Sequence, residues 1–236
     1  MRYVKLESLP LAPEYKANIL LNAEGVKPLG DVTLKKEVSI LLDTDRTKAL
    51  QFIKKGEIPG WKNIKIQDMK RLEEEIRTLF EELDLFYYPK EGDNYTFSKN
   101  KDRLLEYRAM IAKPGSHIVQ GGRLHGYPEC CIQQEIKRME QKENYLYLPR
   151  KINLKTKVMQ YNPLSEITFV SEEKLFIYHN PCVYDPKDLI LCAESFKLGR
   201  LYAETTRSHS GRIYVERLLG CCVDEKLNFV IKKNCE

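Results

Sequence analysis

The stretch Gly121-Gly122-Arg123-Leu124-His125-Gly126-Tyr127-Pro128-Glu129-Cys130-Cys131 decides how the second half of the chain is interpreted. Gly126 can adopt backbone angles that are closed to other residues, and Pro128 sets the geometry of a first helical turn. The stretch therefore predicts a turn followed by a helix that begins near Glu129. The first turn of that helix carries two adjacent thiols.

Apolar residues at spacings of three and four predict the helices around this turn. The clearest helix is expected from Gln67 to Asp84, where one face is apolar and the other is highly charged. After the turn, a helix from Glu129 to Lys142 is expected to bury Ile132, Ile136 and Met139. Other helices are predicted over residues 44–56, over 99–112 with Ser98 as cap and Leu104 and Leu105 inward, over 116–124, and over 185–206 with Asp185 as cap and Cys192 two turns in.

Short apolar runs between turn residues predict strands over residues 2–7, 38–42, 85–88, 95–97, 175–178, 213–219 and 227–231. The run 14–23 fits either a helix or a strand. Together the elements predict an α+β fold. A mixed N-terminal region over residues 1–92 precedes a cysteine-containing region over residues 93–236, in which helices pack on an antiparallel sheet. The boundary is expected at the polar turn Lys90-Glu91-Gly92-Asp93-Asn94.

The charge balance favours a polyanionic partner. The 236-residue chain has 39 lysines and arginines against 34 aspartates and glutamates, a formal charge of +5. A charged fraction of 31% also fits a thermophilic protein, since ion-pair networks become more favourable at high temperature. No apolar run approaches the roughly 18 residues that cross a bilayer, so a soluble, cytoplasmic protein is expected.

All seven cysteines lie after residue 129, at positions Cys130, Cys131, Cys182, Cys192, Cys221, Cys222 and Cys235. In an ordinary cytosol this distribution indicates metal or redox chemistry rather than a disulfide framework. Intracellular disulfides occur in hyperthermophiles, so that alternative stays open.

Two short motifs resemble a known family. Gly126-Tyr127-Pro128-Glu129-Cys130-Cys131, followed by His179-Asn180-Pro181-Cys182 and then by Cys192, Ser195, Leu198 and Gly199, is similar to a largely archaeal family known as domain of unknown function four-eighty-three. The resemblance covers roughly residues 95–200. The family usually has an apolar residue where this chain has His125, and a shorter gap between the last two of these cysteines. The resemblance implies a site at these residues and no particular activity.

A tetrahedral zinc site needs four nitrogen or sulfur ligands, which are often supplied as C-x2-C pairs. This chain contains no C-x2-C pair. Adjacent helical residues point about 100° apart. One of Cys130 and Cys131 is therefore expected to join the other ligands around an ion. The candidate metal ligands are Cys130, Cys131, Cys182, Cys192 and either His179 or His125, and the candidate cofactors are zinc and an iron-sulfur cluster.

Two other interpretations of the cysteines remain open. A thiol at a helix start can act as a nucleophile, since free amide groups and the helix dipole stabilise the thiolate, with His125 or His179 as the base. Alternatively, Cys130, Cys131 and Cys192 are small buried packing residues, two of them joined by a disulfide.

Basic and aromatic residues alternate in the segment 144–165, which contains no acidic residue. Such a segment suits a phosphate backbone together with base stacking. The alternative is a basic β-hairpin that only faces solvent. A second basic segment covers residues 200–217. The residues expected to contact RNA are Arg150, Lys151, Lys155, Lys157, Tyr161, Arg207 and Arg212.

These segments favour a binding protein over an enzyme. The sequence predicts a protein that docks on structured RNA, with the ribosome and its proteins as the first candidates, and a cysteine cluster that stabilises the fold. Regulation of translation and formation of a homodimer fit this hypothesis. The competing hypothesis is a metal- or thiol-dependent enzyme that uses Cys130, Cys131, Cys182 and Cys192.

Overall fold

The computed structural model describes residues 2–41, 61–89, 93–140, 149–153, 158–161, 176–178 and 192–220. The helices in this part are α1 (Val4–Ser8), α2 (Pro13–Ala23), α3 (Met69–Glu82), α4 (Lys101–Ile111), α5 (Ile118–Leu124), α6 (Glu129–Glu140), α7 (Ala193–His209) and α8 (Gly211–Gly220). The strands are β1 (Gly30–Thr33), β2 (Glu37–Leu41), β3 (Trp61–Lys65), β4 (Phe86–Pro89), β5 (Asn94–Ser98), β6 (Pro149–Asn153) and β7 (Val158–Tyr161). Helices packed on a small antiparallel sheet confirm the predicted α+β class.

Strand β5 is the centre of a three-stranded antiparallel sheet with the order β1-β5-β4. Gly30 of β1 lies opposite Phe97, and Phe86 of β4 lies opposite Ser98. The polar turn near residue 92 therefore connects two paired strands. Two antiparallel pairs, β2 with β3 and β6 with β7, complete the sheets of the described residues.

The main core lies between α1, α2, α3 and this sheet. Phe80 of α3 is fully buried, and its ring centroid is 5.0 Å from that of Phe97 and 5.4 Å from that of Tyr87. Asp68 caps α3 by accepting a hydrogen bond from the Arg71 amide at 2.9 Å. The predicted helix over 67–84 and the strands over 85–88 and 95–97 are thus confirmed. The undecided run 14–23 is helical.

The strand predicted over residues 2–7 is wrong, because this segment forms helix α1. Tyr3, Leu6 and Leu9 are all buried, whereas Val4 is 53% exposed. A spacing of three with an exposed residue between is the pattern of a helical turn and not of a strand. The segment is too short to distinguish the two-residue period of a strand from the 3.6-residue period of a helix.

The strand predicted over 213–219 is also wrong, since these residues belong to α8. Ile213, Val215 and Glu216 are buried, because α8 packs against both α2 and α7. A helix that is buried on most sides lacks a polar stripe and is easily taken for a buried strand. The strand predicted over 175–178 fails similarly, as Phe176 is helical and stacks on Tyr214 with ring centroids 5.5 Å apart.

Smaller differences concern the residue that caps α4 and the side chains that were expected to be buried. Asn100, not Ser98, caps α4 by accepting from the Arg103 amide at 3.1 Å. Ile132 is buried as expected, but Met139 and Leu105 are exposed. Strands β6 and β7 pair antiparallel, which fits the basic β-hairpin given above as the alternative for the segment 144–165. The predicted helix 44–56 and strand 227–231 lie outside the described residues.

Candidate metal centre

The turn that precedes α6 is held in one conformation by close packing. Gly126 has a φ of +76°, and a Cβ atom there would lie 2.7 Å from Cγ of Pro28. Both the left-handed backbone and the lack of space require glycine. The Pro128 carbonyl accepts from the Ile132 amide at 3.1 Å, so α6 begins at Glu129 as predicted.

An ion pair fixes the direction of α6 relative to α5. The Arg123 guanidinium donates two hydrogen bonds to the Glu129 carboxylate, at 2.9 and 3.0 Å. These contacts with Arg123, and a further hydrogen bond from Gln133, hold the pKa of the Glu129 carboxyl at about 2. The first turn of α6, which carries Cys130 and Cys131, is therefore held by the backbone hydrogen bond to Pro128 and by the ion pair of Glu129.

Cys192 is the N-cap residue of α7, and the prediction that it lies two turns inside a helix is wrong. Its Sγ accepts a hydrogen bond from the Ser195 amide at 3.3 Å. A sulfur atom here takes the position usually filled by the oxygen of serine, threonine, aspartate or asparagine. The capping signal at Asp185-Pro186 suggested an earlier helix start; those residues lie outside the described ranges.

Three sulfur atoms converge where these two helices begin. The Sγ–Sγ distances are 3.9 Å for Cys130–Cys131, 3.6 Å for Cys130–Cys192 and 3.6 Å for Cys131–Cys192. We call this group the three-thiol centre. Its members lie close enough to hold one metal ion.

The expectation that only one of the adjacent cysteines joins the site is therefore corrected. The Cys192 sulfur is 3.6 Å from each of the Cys130 and Cys131 sulfurs, so it lies opposite the gap between those two sulfur atoms. Adjacent Cα atoms diverge by about 100° on a helix. The freedom of χ1 lets both sulfurs turn toward a third one opposite the gap.

The centre is buried on one side and reaches the surface on the other. Cys131 and Cys192 are buried, whereas Cys130 is exposed. The hydroxyl oxygen of the fully buried Ser195 lies 3.1 Å from the Cys131 sulfur and 3.2 Å from the Cys192 sulfur. This contact was not anticipated, although the spacing Cys192-x-x-Ser195 places the hydroxyl one helical turn from the cap.

A backbone donor at the start of α7 contacts the centre. The Ser195 amide donates to the Cys192 sulfur at the first turn of this helix. Thiolates in contact repel one another strongly, and a cation between them removes that repulsion. Three cysteine sulfurs held at contact distance are therefore suited to a cation.

His125, one of the two histidines expected at this site, does not belong to the three-thiol centre. His125 lies on the other side of the turn, with its ring stacked on Tyr127 at 5.4 Å and Nε2 3.6 Å from Oδ2 of Asp31. Among the described histidines, cysteines and carboxylates, the converging group consists of the three cysteines. Cys182 and His179 lie outside the described residues.

A cavity of about 860 Å³ adjoins the centre. Residues of the opening stretch, including Gly121, Tyr127 and Cys131, line one wall, and Tyr178 and Arg217 line another. Burial raises the pKa of the Tyr127 hydroxyl. The Lys27 ammonium lies 5.0 Å from the centroid of the Tyr178 ring and donates a hydrogen bond to the Leu29 carbonyl at 2.5 Å.

The residues expected to contact RNA fall into three groups. Arg207 is exposed and its guanidinium lies 5.3 Å from the Tyr214 ring, whereas Arg212 is tied to Glu216 at 3.0 Å. Arg150, Lys151 and Tyr161 lie on the paired strands β6 and β7. Lys155 and Lys157, between these strands in sequence, lie outside the described residues.

Comparison with protein-family models, curated proteins and solved structures finds no match to this chain. The family resemblance therefore stays a prediction. In the part of the chain that the structure describes, no helix combines the length and apolar character needed to cross a membrane.

Proposed function

We propose that the three-thiol centre binds a single zinc ion. The observation that carries this proposal is the spacing of the sulfurs, 3.6, 3.6 and 3.9 Å. A tetrahedral zinc ion with bonds of about 2.3 Å to sulfur places its ligand atoms about 3.8 Å apart. The three sulfurs thus stand at three corners of a tetrahedron of the size that zinc requires.

The same spacing does not suit an iron-sulfur cluster. In a [4Fe–4S] cluster each cysteine binds a different iron atom, and in a [2Fe–2S] cluster no more than two cysteines share one, so three cysteine sulfurs spread more widely than around one ion. Thiolates are soft ligands, which favours zinc over magnesium or calcium. For the fourth corner we propose Cys182, with His179 as the alternative, since both lie shortly before Cys192 in sequence.

The proposed role of the ion is structural. Cys131 and Cys192 are 61 residues apart in sequence, and an ion between them joins the first turn of α6 to the start of α7. Two of the three sulfurs are buried, as in closed sites that stabilise a fold. The ion would supply the positive charge that offsets three neighbouring thiolates.

Metal analysis of untagged protein tests this proposal. We expect one zinc per chain, lost in Cys131→Ser and in Cys192→Ser and retained in the control Cys235→Ser. Cobalt substitution should give a tetrahedral spectrum with thiolate charge-transfer bands. These bands should weaken in Cys182→Ser and persist in His179→Ala if cysteine is the fourth ligand. Absence of stoichiometric metal after purification with added zinc would contradict the proposal.

We further propose that the protein docks on structured RNA, with ribosomal RNA as the first candidate. The supporting observation is the β6–β7 hairpin, whose strands carry Arg150 and Lys151 in a segment without acidic residues. A two-stranded ribbon with cationic side chains can follow a phosphate backbone. Arg207, exposed at the junction of α7 and α8, is a second cation for this role.

Cosedimentation with ribosomal particles over a salt series tests RNA docking. Replacing Lys151, Lys155 and Lys157 together with alanine should weaken binding and flatten its salt dependence, by nearly one logarithmic unit of slope for each lost phosphate contact. The matched control replaces Lys70, Lys113 and Lys137, which are exposed elsewhere and remove the same charge. Equal effects of the two triple variants would contradict a role for the hairpin. Sedimentation of the protein alone reports whether it is a homodimer.

A further inference from the structure

The surface between β4 and α4 exposes large apolar side chains. Phe86 is 46% exposed and Leu105 is 49% exposed. Phe86 and Tyr88 are two residues apart on one strand, so they project from the same face. Tyr87 between them points to the core, where its ring lies 5.4 Å from that of Phe80. We call this surface, which comprises Phe86, Tyr88, Lys101, Leu105 and Arg108, the β4–α4 face.

The rings of the exposed Phe86 and the partly buried Tyr88 each lie beside a cation from α4. The Arg108 guanidinium is 4.7 Å from the Tyr88 ring centroid, and the Lys101 ammonium is 5.9 Å from that of Phe86. Lys101, Leu105 and Arg108 share one side of the helix, at positions i, i+4 and i+7. Aromatic rings and cations therefore alternate along a single surface.

This surface forms a groove of about 690 Å³. Its charged lining consists of the cations Lys99, Lys101 and Arg108 and the carboxylates Glu81 and Asp84. Lys99 is directed inward, since its ammonium donates to the Ala23 carbonyl at 2.9 Å. Lys101 and Arg108 are the cations that lie beside the two rings.

We infer that the β4–α4 face binds unpaired bases of single-stranded RNA. Bases would stack on Phe86 and Tyr88, and Lys101 and Arg108 would contact the adjoining phosphates, as in other single-strand binding grooves. The two side chains are about 7 Å apart along the strand, which suits separated bases and not the tightly stacked bases of a duplex. This inference rests on the proposed RNA function but uses different residues and a different form of RNA.

Charge and backbone disfavour a peptide in the groove. β4 is an edge strand among the described residues and could in principle accept another strand. Its last residue is Pro89, which has no amide hydrogen to donate to a pairing peptide. The cations beside both rings favour an anionic ligand with planar groups, which describes a single-stranded nucleic acid.

Fluorescence anisotropy with a labelled twelve-nucleotide oligo-uridine tests the inference, and an RNA hairpin of equal length serves as the comparison ligand. The variant Phe86→Leu with Tyr88→Leu removes the rings but keeps apolar bulk, so the fold is retained. We expect it to lose about 25-fold or more in affinity for the single strand, since each of the two stacked bases contributes about five-fold or more. Phe196→Leu, which removes another exposed ring, is the control and should bind as the wild type does.

The outcomes separate this inference from the hairpin proposal. Leucine variants that lose oligo-uridine but still cosediment with ribosomal particles would support two distinct RNA contacts. Oligo-uridine binding unchanged in these variants, or absent in the wild type, would overturn the β4–α4 face and leave the hairpin proposal standing. Displacement of oligo-uridine by polyglutamate at equal charge concentration would also overturn it, because charge alone would then explain binding.

Discussion

Two junctions that join distant parts of the chain are stabilised in opposite ways. Between α2 and α8, the buried Lys16 ammonium donates to Oε2 of Glu216 at 3.0 Å and to the Glu7 carbonyl at 2.8 Å. Oε1 of Glu216 accepts from Arg212 at 3.0 Å. Each of these three charged side chains thus contacts a protein group of opposite charge.

The junction between α6 and α7 is built differently. The three-thiol centre gathers three sulfurs from the two helices, with the Ser195 hydroxyl beside two of them. The difference teaches that ion pairs between protein groups join the first junction, whereas the proposed zinc ion would join the second.

The largest expected effect is removal of the metal. A chelator should lower the free energy of unfolding by about 4 kcal/mol when the free zinc beforehand was 1,000 times the dissociation constant. Hydrogen exchange should accelerate in α6 and the first turn of α7 and stay unchanged in α2 and α8. Cys131→Ser should be insensitive to the chelator. Equal acceleration at both junctions would remove the distinction between them.

The Glu216→Gln substitution tests the other junction. It leaves the buried Lys16 ammonium without a carboxylate, so we expect a loss of about 3 kcal/mol in urea unfolding. The control is Glu204→Gln, which breaks the exposed pair with Arg200 and should cost less than about 1 kcal/mol. The double variant Lys16→Met, Glu216→Leu should recover most of the loss. A loss in Glu216→Gln no larger than in the control would show that the buried pair does not stabilise this junction.

Lys27 provides a pH-dependent contribution near the cavity. Burial lowers the pKa of its ammonium from 10.5 to about 8, so the unfolded chain binds more protons between these values. The free energy of unfolding should therefore rise with pH through this window, by up to about 1.4 kcal/mol per unit. Burial also lowers the pKa of Lys16, which acts in the same direction.

Comparison with Lys27→Met isolates the Lys27 contribution. Urea unfolding between pH 8 and 9.5 should show a smaller slope in the variant than in the wild type. Parallel pH profiles would contradict the assignment of this slope to Lys27.

The smallest expected effect is that of Ser195→Ala. Loss of the hydroxyl beside two sulfurs should weaken zinc binding by roughly ten-fold, as is usual for groups that support metal ligands. Competition with a chromophoric chelator measures this change. Ser208→Ala, which removes an exposed hydroxyl from the same helix, should bind zinc as the wild type does. Equal zinc affinity in Ser195→Ala and the wild type would show that the hydroxyl does not support the centre.

Local sequence signals were sufficient where one face of an element is solvated. Helix α3 was predictable because its apolar residues lie on one side, and the turn at Gly126 because glycine and proline dictate backbone angles. Helix α8 was not predictable, since burial against α2 and α7 removes the polar stripe.

The site was predictable in its residues but not in its geometry. Cys130, Cys131 and Cys192 were all candidates, yet their mutual distances depend on how α6 and α7 approach each other. The position of Cys192 as a helix cap was missed because cysteine is a weak capping signal compared with Asp185-Pro186. The packing of α6 against α7, and not the spacing of cysteines in the sequence, brings both adjacent thiols close to Cys192.

The distance between the thiols along the chain has a consequence for synthesis. Cys131 leaves the ribosome 61 residues before Cys192. At about 5–20 residues per second, roughly 3–12 seconds separate the two. Pro28, against which Gly126 packs, is already available by then, so the turn can form while the metal centre is still incomplete. Capture of the proposed zinc ion would therefore be a late step of folding, after the turn at Gly126 has formed.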